Sequence, residues 1–320
     1  MRRLLIAVLA LLPSLPPDAS AQAYPDRAIR LVVPFAPGQG ADAAARIVAE
    51  QVSRDLGQPL VIENRPGAGG NIGADAVAKA APDGYTLLVG SNGTHAANVA
   101  LYPSLSFDPV KDFVPLAFIG SVPMVLVTRP DYAASTTQTL VQAAKQNPGT
   151  INVAIPSSTA RVVFELLQNK SQAKLFPVAY KASNTALSDV LGNHIDLAID
   201  TVIATTPQIQ GGKLKGIAVS SSTRSLSLPD VPTFNESGLK DFDLAAWNIW
   251  LAPKGTPDVI VAKLNAAING GLQNKDVQQK LLQLGYIPAG TQSPAAVAEF
   301  VRSETAKWGE LIRQAGIKAE

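Results

Sequence analysis

LVVPFAPGQGADAAARIVAE, residues 31–50, changes its grammar halfway along. AIRLVVPF, residues 28–35, is a continuous apolar and β-branched run closed by Pro and then Gly. That pattern marks a strand with both faces covered, as in a parallel sheet. From residue 41 the period becomes helical: Ile47, Val48, Val52 and Leu56 recur at helical spacing, and Gly57 stops the run. Between the two lies a glycine loop. Gly38 and Gly40 let a backbone approach a ligand without interference from a Cβ. The amides that open the helix have no partner inside it and, with the helix dipole, favour an anion. The same loop also reads as a plain strand-to-helix turn whose glycines serve geometry alone.

Working outward, the grammar repeats. PLVIEN (59–64) is a second strand, RPGAGGNIG (65–73) a glycine-rich turn, ADAVAKAA (74–81) a short helix and YTLLVGS (85–91) a third strand. VPMVLVT (122–128), INVAI (151–155), HIDLAID (194–200) and GIAVSS (216–221) are further short apolar strands, and TTQTLVQAAKQNPG (136–149) is a helix ended by Pro-Gly. From Pro257 three helical segments follow, the last over SPAAVAEFVRSETAKWGELIRQAG (293–316). Strands alternating with helices predict an α/β fold built on a parallel sheet. No Pro- or Ser-rich linker separates two halves. Two lobes would therefore be joined by strand crossings, Ile119–Val127 outward and Ala246–Ala252 back.

The ends and the composition narrow the class. MRR, the apolar run Leu4–Leu12 and the small residues ASA ending at Ala21 read as a signal peptide, residues 1–21. The run is too short to span a bilayer. Arg2 and Arg3 fit twin-arginine export as well as the ordinary charged start. The chain has a formal net charge of +2 and no basic cluster, which argues against nucleic acid. It has no cysteine, so an exported form carries neither disulfides nor a lipid-anchoring thiol, which points to a free periplasmic protein.

Reactive constellations are scarce. Two histidines and no cysteine leave little for a zinc site. GAGGNI (67–72) puts Ile72 where a dinucleotide fingerprint needs glycine, VGSNG (89–93) lacks nucleophile-elbow spacing, and Leu214 follows Gly212-Lys213 where a phosphate loop needs Ser or Thr. Ser171–Lys174 matches a serine–lysine pattern without its companion motifs. No enzyme and no cofactor are expected.

Four loops remain at strand ends, where ligands bind in open α/β sheets: Pro37–Asp42, Ser91–His95, Pro156–Arg161, and Asp200 with Thr201. An amide donating to a charged acceptor contributes roughly 1.5–3 kcal/mol. Three or four such bonds support micromolar binding, about −8 kcal/mol, after association costs. Asp42 is expected to brace the loop. A carboxylate aimed at an anion would repel it.

YPDRAIRLVVPFAPGQGADAAAR (24–46) followed by VIENRPGAGGNIGADAVAKAAPDGYTLLVGSNGTH (61–95) resembles the Bug (TctC-like) substrate-binding proteins of tripartite tricarboxylate transporters. The likeness continues through KDFVPLAFIGSVPMVLVT (111–128), LPDVPTFNESG (228–238) and WNIWLAPKGTP (247–257), so it covers essentially the whole mature chain. It implies a two-lobed, Venus-flytrap periplasmic binding protein, each lobe a parallel or mixed sheet flanked by helices. Residues 22–122 would form the first segment of lobe 1, 123–246 lobe 2, and 247–320 the return to lobe 1.

The implied function is capture of a small carboxylate for membrane permease subunits, by a monomer. The implied ligand loop covers Phe35, Ala36, Pro37, Gly38, Gln39, Gly40, Ala41 and Asp42. Ser91, Asn92, Gly93, Thr94 and His95 match a second loop, and Asp200 and Thr201 fall where the second lobe meets the cleft.

Three departures stand out. Gln39 follows Gly38 where the family has two adjacent glycines. AIPSSTAR (154–161) replaces a Gly/Ser-rich loop and places Arg161 near a usual His. AYKASN (179–184) replaces a PYKG-type turn. Ser157, Ser158, Thr159 and Arg161 are therefore expected to grip the ligand's distal end with side chains, Arg in fork geometry. Tyr180 is a further cleft candidate. Trp247 and Trp250 either wall the cleft or pack the return strand. The competing readings are a ligand sensor of the same fold and a secreted hydrolase.

Overall fold

The computed structural model describes residues 24–314, so the expected signal peptide lies outside them. β1 (Ile29–Val33) lies between two parallel neighbours, β2 (Leu60–Asn64) and β3 (Thr86–Ser91). Its apolar run is continuous because both faces are covered. Leu31 and Val33 join one buried cluster and Val32 the other. α1 (Gly40–Leu56) buries Ala44, Ala45, Val48, Ala49 and Val52, so the stripe centres on alanines that allow close approach to the sheet. Ile47 and Leu56 are only partly buried at its margins. Gly57 ends the helix in the left-handed region. α2 (Asn71–Ala78) follows the glycine turn. Its Gly73 presses so tightly that a Cβ would lie 2.9 Å from the Arg65 carbonyl oxygen and 3.0 Å from Pro34 Cα.

Beyond β3, residues 93–97 form one wide helical turn that runs into α3 (Asn98–Leu101). β4 (Phe113–Thr128) is longer than the expected crossing and serves both halves of the sheet. Phe113–Pro123 pairs antiparallel with β9 (Ala245–Pro253), while Met124–Thr128 pairs with β7 (Leu197–Thr201) and β8 (Lys215–Val219). The two crossings expected from the sequence thus lie within paired neighbours, β4 and β9. The second half also holds α4 (Thr137–Gln146), β5 (Asn152–Ile155), α5 (Ser158–Ser171), β6 (Phe176–Ala179), α6 (Ser183–Leu191) and α7 (Val202–Gln210). The strands follow the order β2-β1-β3-β9-β4-β7-β5-β6.

α8 (Asp258–Gln273) and α9 (Lys275–Leu284) pack on α1. The short β10 (Ile287–Pro288) pairs with β4, and α10 (Pro294–Gln314) packs on β4 and on the turn at residues 93–97. The result is a two-lobed α/β fold with helices on both faces of mixed sheets.

Candidate functional site

The ends of β1, β3, β5 and β7 open on one cavity of about 720 Å³. The first wall is the β1–α1 loop. Gln39 is the N-cap of α1, yet its side chain makes no capping bond to the helix. Its Oε1 instead accepts from the Ala36 amide at 3.1 Å. The opening amides of α1 are thus left without a side-chain cap, and Gly40 and Ala41 line the cavity with Phe35, Ala36 and Gln39. Pro37 and Gly38 form the exposed tip of the turn and lie outside the lining. Gly38 has φ +80°, and its amide donates to Asp42 Oδ2 at 2.9 Å.

Asp42 points away from the cavity. It accepts two bonds from Arg46 at 3.0 Å and one from Asn64 at 2.8 Å. Burial opposes its ionisation, but these donors and the Gly38 amide outweigh it and hold the carboxyl below its usual range. The loop is braced from behind, and its cavity side is left to backbone groups.

Ser91, Asn92 and Gly93 line the cavity at the end of β3, whereas Thr94 and His95 do not. The helical turn that starts at Gly93 rotates both inward. Thr94 Oγ1 accepts from the Ser91 amide at 3.0 Å and sits 2.8 Å from His95 Nδ1. The His95 ring is fully buried, edge-on to Phe113 at 5.0 Å, and burial pushes its pKa down to about 3. It is a neutral core histidine. His194 is exposed in the turn before β7 and also lies outside the lining.

The second lobe contributes the start of α5. Ser157 is the N-cap, its Oγ accepting from the Ala160 amide at 3.2 Å. Ser158, Thr159 and Arg161 occupy the first turn and line the cavity with Ser157. Thr159 Oγ1 accepts from Asn92 Nδ2 at 2.7 Å, and Arg161 Nε donates to Glu165 at 2.8 Å. Tyr180 lines the cavity, and its hydroxyl donates to Asp189 at 2.6 Å. Burial and that carboxylate push its pKa up to about 12.

Asp200 and Thr201 end β7 at the cavity. Thr201 caps α7 through a 3.3 Å bond from Ala204. Asp200 Oδ1 accepts from the Thr201 amide at 2.7 Å, Oδ2 has no hydrogen-bond partner, and burial pushes its pKa up to about 6. Of the two tryptophans on β9, Trp247 lines the cavity and Trp250 is fully buried in the core.

Several lining residues escaped the sequence reading. The stretch 66–70 closes one side, and a Cβ on its Gly69 would stand 3.1 Å from Ser158 Oγ of the opposite lobe. Its signal was available, because it follows a strand end like the other loops. Tyr102, Met124, Asn248 and Tyr286 carried no local signal.

The two sides approach closely elsewhere too. A Cβ on Gly40 would be 2.9 Å from Ile203 Cδ1 on α7. The result is a cleft lined by strand-end loops of both lobes, with an uncapped helix start on one side.

Solved structures share this arrangement. The chain is 35% identical to the periplasmic binding protein BugD, with TM-score 0.87, covering 93% of this chain and 100% of that one. It is 33% identical to Rpa4515 of R. palustris with adipate, at TM-score 0.89 and coverage of 93% and 100%. It is 35% identical to MatC from Rhodopseudomonas palustris with bound malate, at TM-score 0.85 and coverage of 90% and 100%. The model of the tripartite tricarboxylate transporter family receptor, TctC, matches residues 44–317. Strand-end loops, paired crossings and the length of the match agree: the chain belongs to the tripartite tricarboxylate transporter receptor family.

Proposed function

We propose that this protein captures a small organic carboxylate in the periplasm and delivers it to the permease subunits of a tripartite tricarboxylate-type transporter. It does so as a monomer and performs no chemistry on its cargo. The observation that carries the reading is the uncapped start of α1 opening on a cavity shared by both lobes. Backbone amides aligned with a helix dipole attract an anion without any lysine. Two of the similar solved structures hold carboxylates, adipate in one and malate in the other.

In this reading residues 1–21 direct export and are removed. Residues 22–122 and 247–320 form one lobe and 123–246 the other, and the lobes close about β4 and β9. Phe35, Ala36, Gln39, Gly40 and Ala41 receive the first carboxylate. Ser158, Arg161 and Thr201 meet the distal end.

Mass spectrometry of whatever copurifies, followed by thermal-shift screening of carboxylic acids, tests it. The melting temperature rises with ligand concentration for a true ligand. A neutral sugar as the sole stabiliser overturns the reading.

A further inference from the structure

We propose that the carboxylate ligand carries an apolar body, an aromatic ring or a run of methylenes, rather than a compact hydroxylated skeleton. The inference rests on the carboxylate reading above and specifies the rest of the molecule. Its basis is what the cavity wall has left to offer.

Five large polar side chains of the wall between the two loops have their polar groups engaged with protein. Trp247 Nε1 donates to Glu304 Oε2 at 2.8 Å. The Tyr286 hydroxyl donates to Asn248 Oδ1, and Asn248 Nδ2 donates to the Gly90 carbonyl at 3.1 Å. Asn92 uses its Nδ2 on Thr159 at 2.7 Å and its Oδ1 on the Trp247 amide at 3.3 Å. The Tyr180 hydroxyl is held by Asp189. With those groups engaged, the wall presents ring faces and hydrocarbon. Phe35, Val122 and Met124 add hydrocarbon and Tyr102 a ring, while Ser158, Ser183 and Asp200 bring polar groups from the second lobe.

Hydroxyls on a ligand would lose water against this surface and find few partners there, which costs free energy for each unmet group. Hydrocarbon in the same place gains by leaving water. Charge is received elsewhere, at the start of α1 and, from the opposite lobe, beside Arg161 and Lys181. A cavity of about 720 Å³ has room for a ring or a six-carbon chain with its carboxylate.

Calorimetric titration of the mature chain with two sets of acids tests this. Benzoate, hexanoate and adipate form the apolar-bodied set; malate, tartrate and citrate form the compact polar set. The best of the first set is expected to bind at least about tenfold more tightly than the best of the second. Malate, tartrate or citrate binding as tightly as the apolar-bodied acids overturns the inference and leaves the carboxylate reading standing. No binding by any acid in either set removes both.

The wall itself is tested with Tyr102→Ser and, independently, Val122→Thr, both outside the carboxylate-receiving loop. Each is expected to weaken benzoate severalfold or more while changing malate less than about twofold. Equal losses for both acids overturn the role assigned to the wall.

Discussion

Asn92 Nδ2 donates to Thr159 Oγ1 over 2.7 Å, and the two residues belong to opposite lobes. Asn92 follows the end of β3 and Thr159 sits in the first turn of α5, so the bond spans the cleft. Both residues are buried, and Asn92 Oδ1 is held at the same time by the Trp247 amide at 3.3 Å on β9. One side chain therefore ties the first lobe, the second lobe and the return strand together.

Replacing Thr159 with Val keeps the shape and removes the acceptor. The Asn92 amide is then buried without a partner whenever the cleft is closed, at a cost of about 1–3 kcal/mol. Because that cost falls on the closed form, ligand affinity is expected to drop by roughly fivefold or more while the melting temperature of the free protein changes little. Unchanged affinity in calorimetry would show that the bond does not hold the cleft shut.

Arg161 lines the cavity and is steadied by Glu165 at 2.8 Å. A charge-assisted bond from Arg161 to a second ligand carboxylate contributes about 1.5–3 kcal/mol. Arg161→Ala should then weaken adipate by roughly tenfold or more and hexanoate much less. Equal affinities before and after the change for both acids reject a ligand role for this residue.

Glu304 Oε2 accepts from Trp247 Nε1 and Trp308 Nε1, each at 2.8 Å, and so pins α10 to the cavity wall. Glu304→Ala leaves two buried indole N–H groups without an acceptor, at about 1–3 kcal/mol each. Glu304→Gln retains an accepting oxygen and is expected to recover much of the loss. Urea denaturation of the three proteins decides this: an Ala variant as stable as the parent refutes the role of the clasp.

Two buried groups pull stability in opposite directions on acidification. His95 has its pKa pushed down to about 3, so below its ordinary value of 6.5 the unfolded chain takes up a proton that the folded chain refuses. That group removes about 2 kcal/mol of stability between pH 7 and pH 5. Asp200 has its pKa raised from 3.8 to about 6, so the folded chain is protonated first as the pH falls. Its penalty at neutral pH is relieved by about 1 kcal/mol over the same interval. Asp200→Asn is therefore expected to lose stability faster than the parent from pH 7 to pH 5, by about 1 kcal/mol in denaturant titrations. Parallel pH profiles for the two proteins would mean that the Asp200 carboxyl is not displaced upward in the folded state.

Much of this architecture was legible because its signals are local. A run such as LVVPF states that both faces of β1 are covered, and the helical spacing of Val48 and Val52 states which side of α1 turns inward. The strand-end loops 37–42, 91–95, 156–161 and 200–201 were expected from the general rule that ligands bind beyond the carboxyl ends of strands. Other assignments depend on angles and partners that no short stretch contains. A single helical turn after Ser91 takes Thr94 and His95 into the core, although they continue the stretch that includes Asn92.

By itself, then, the sequence determined the alternation of strands and helices and the glycine loop before α1. Each follows from apolar periodicity or backbone freedom within some twenty residues. Only the tertiary structure decided which polar groups are spent on one another. Tyr286 meets Asn248 and Glu304 meets Trp247 through contacts between segments far apart in the chain. The chemical character of the cavity wall is the remainder after those long-range hydrogen bonds have formed, and that remainder exists only once the chain has folded.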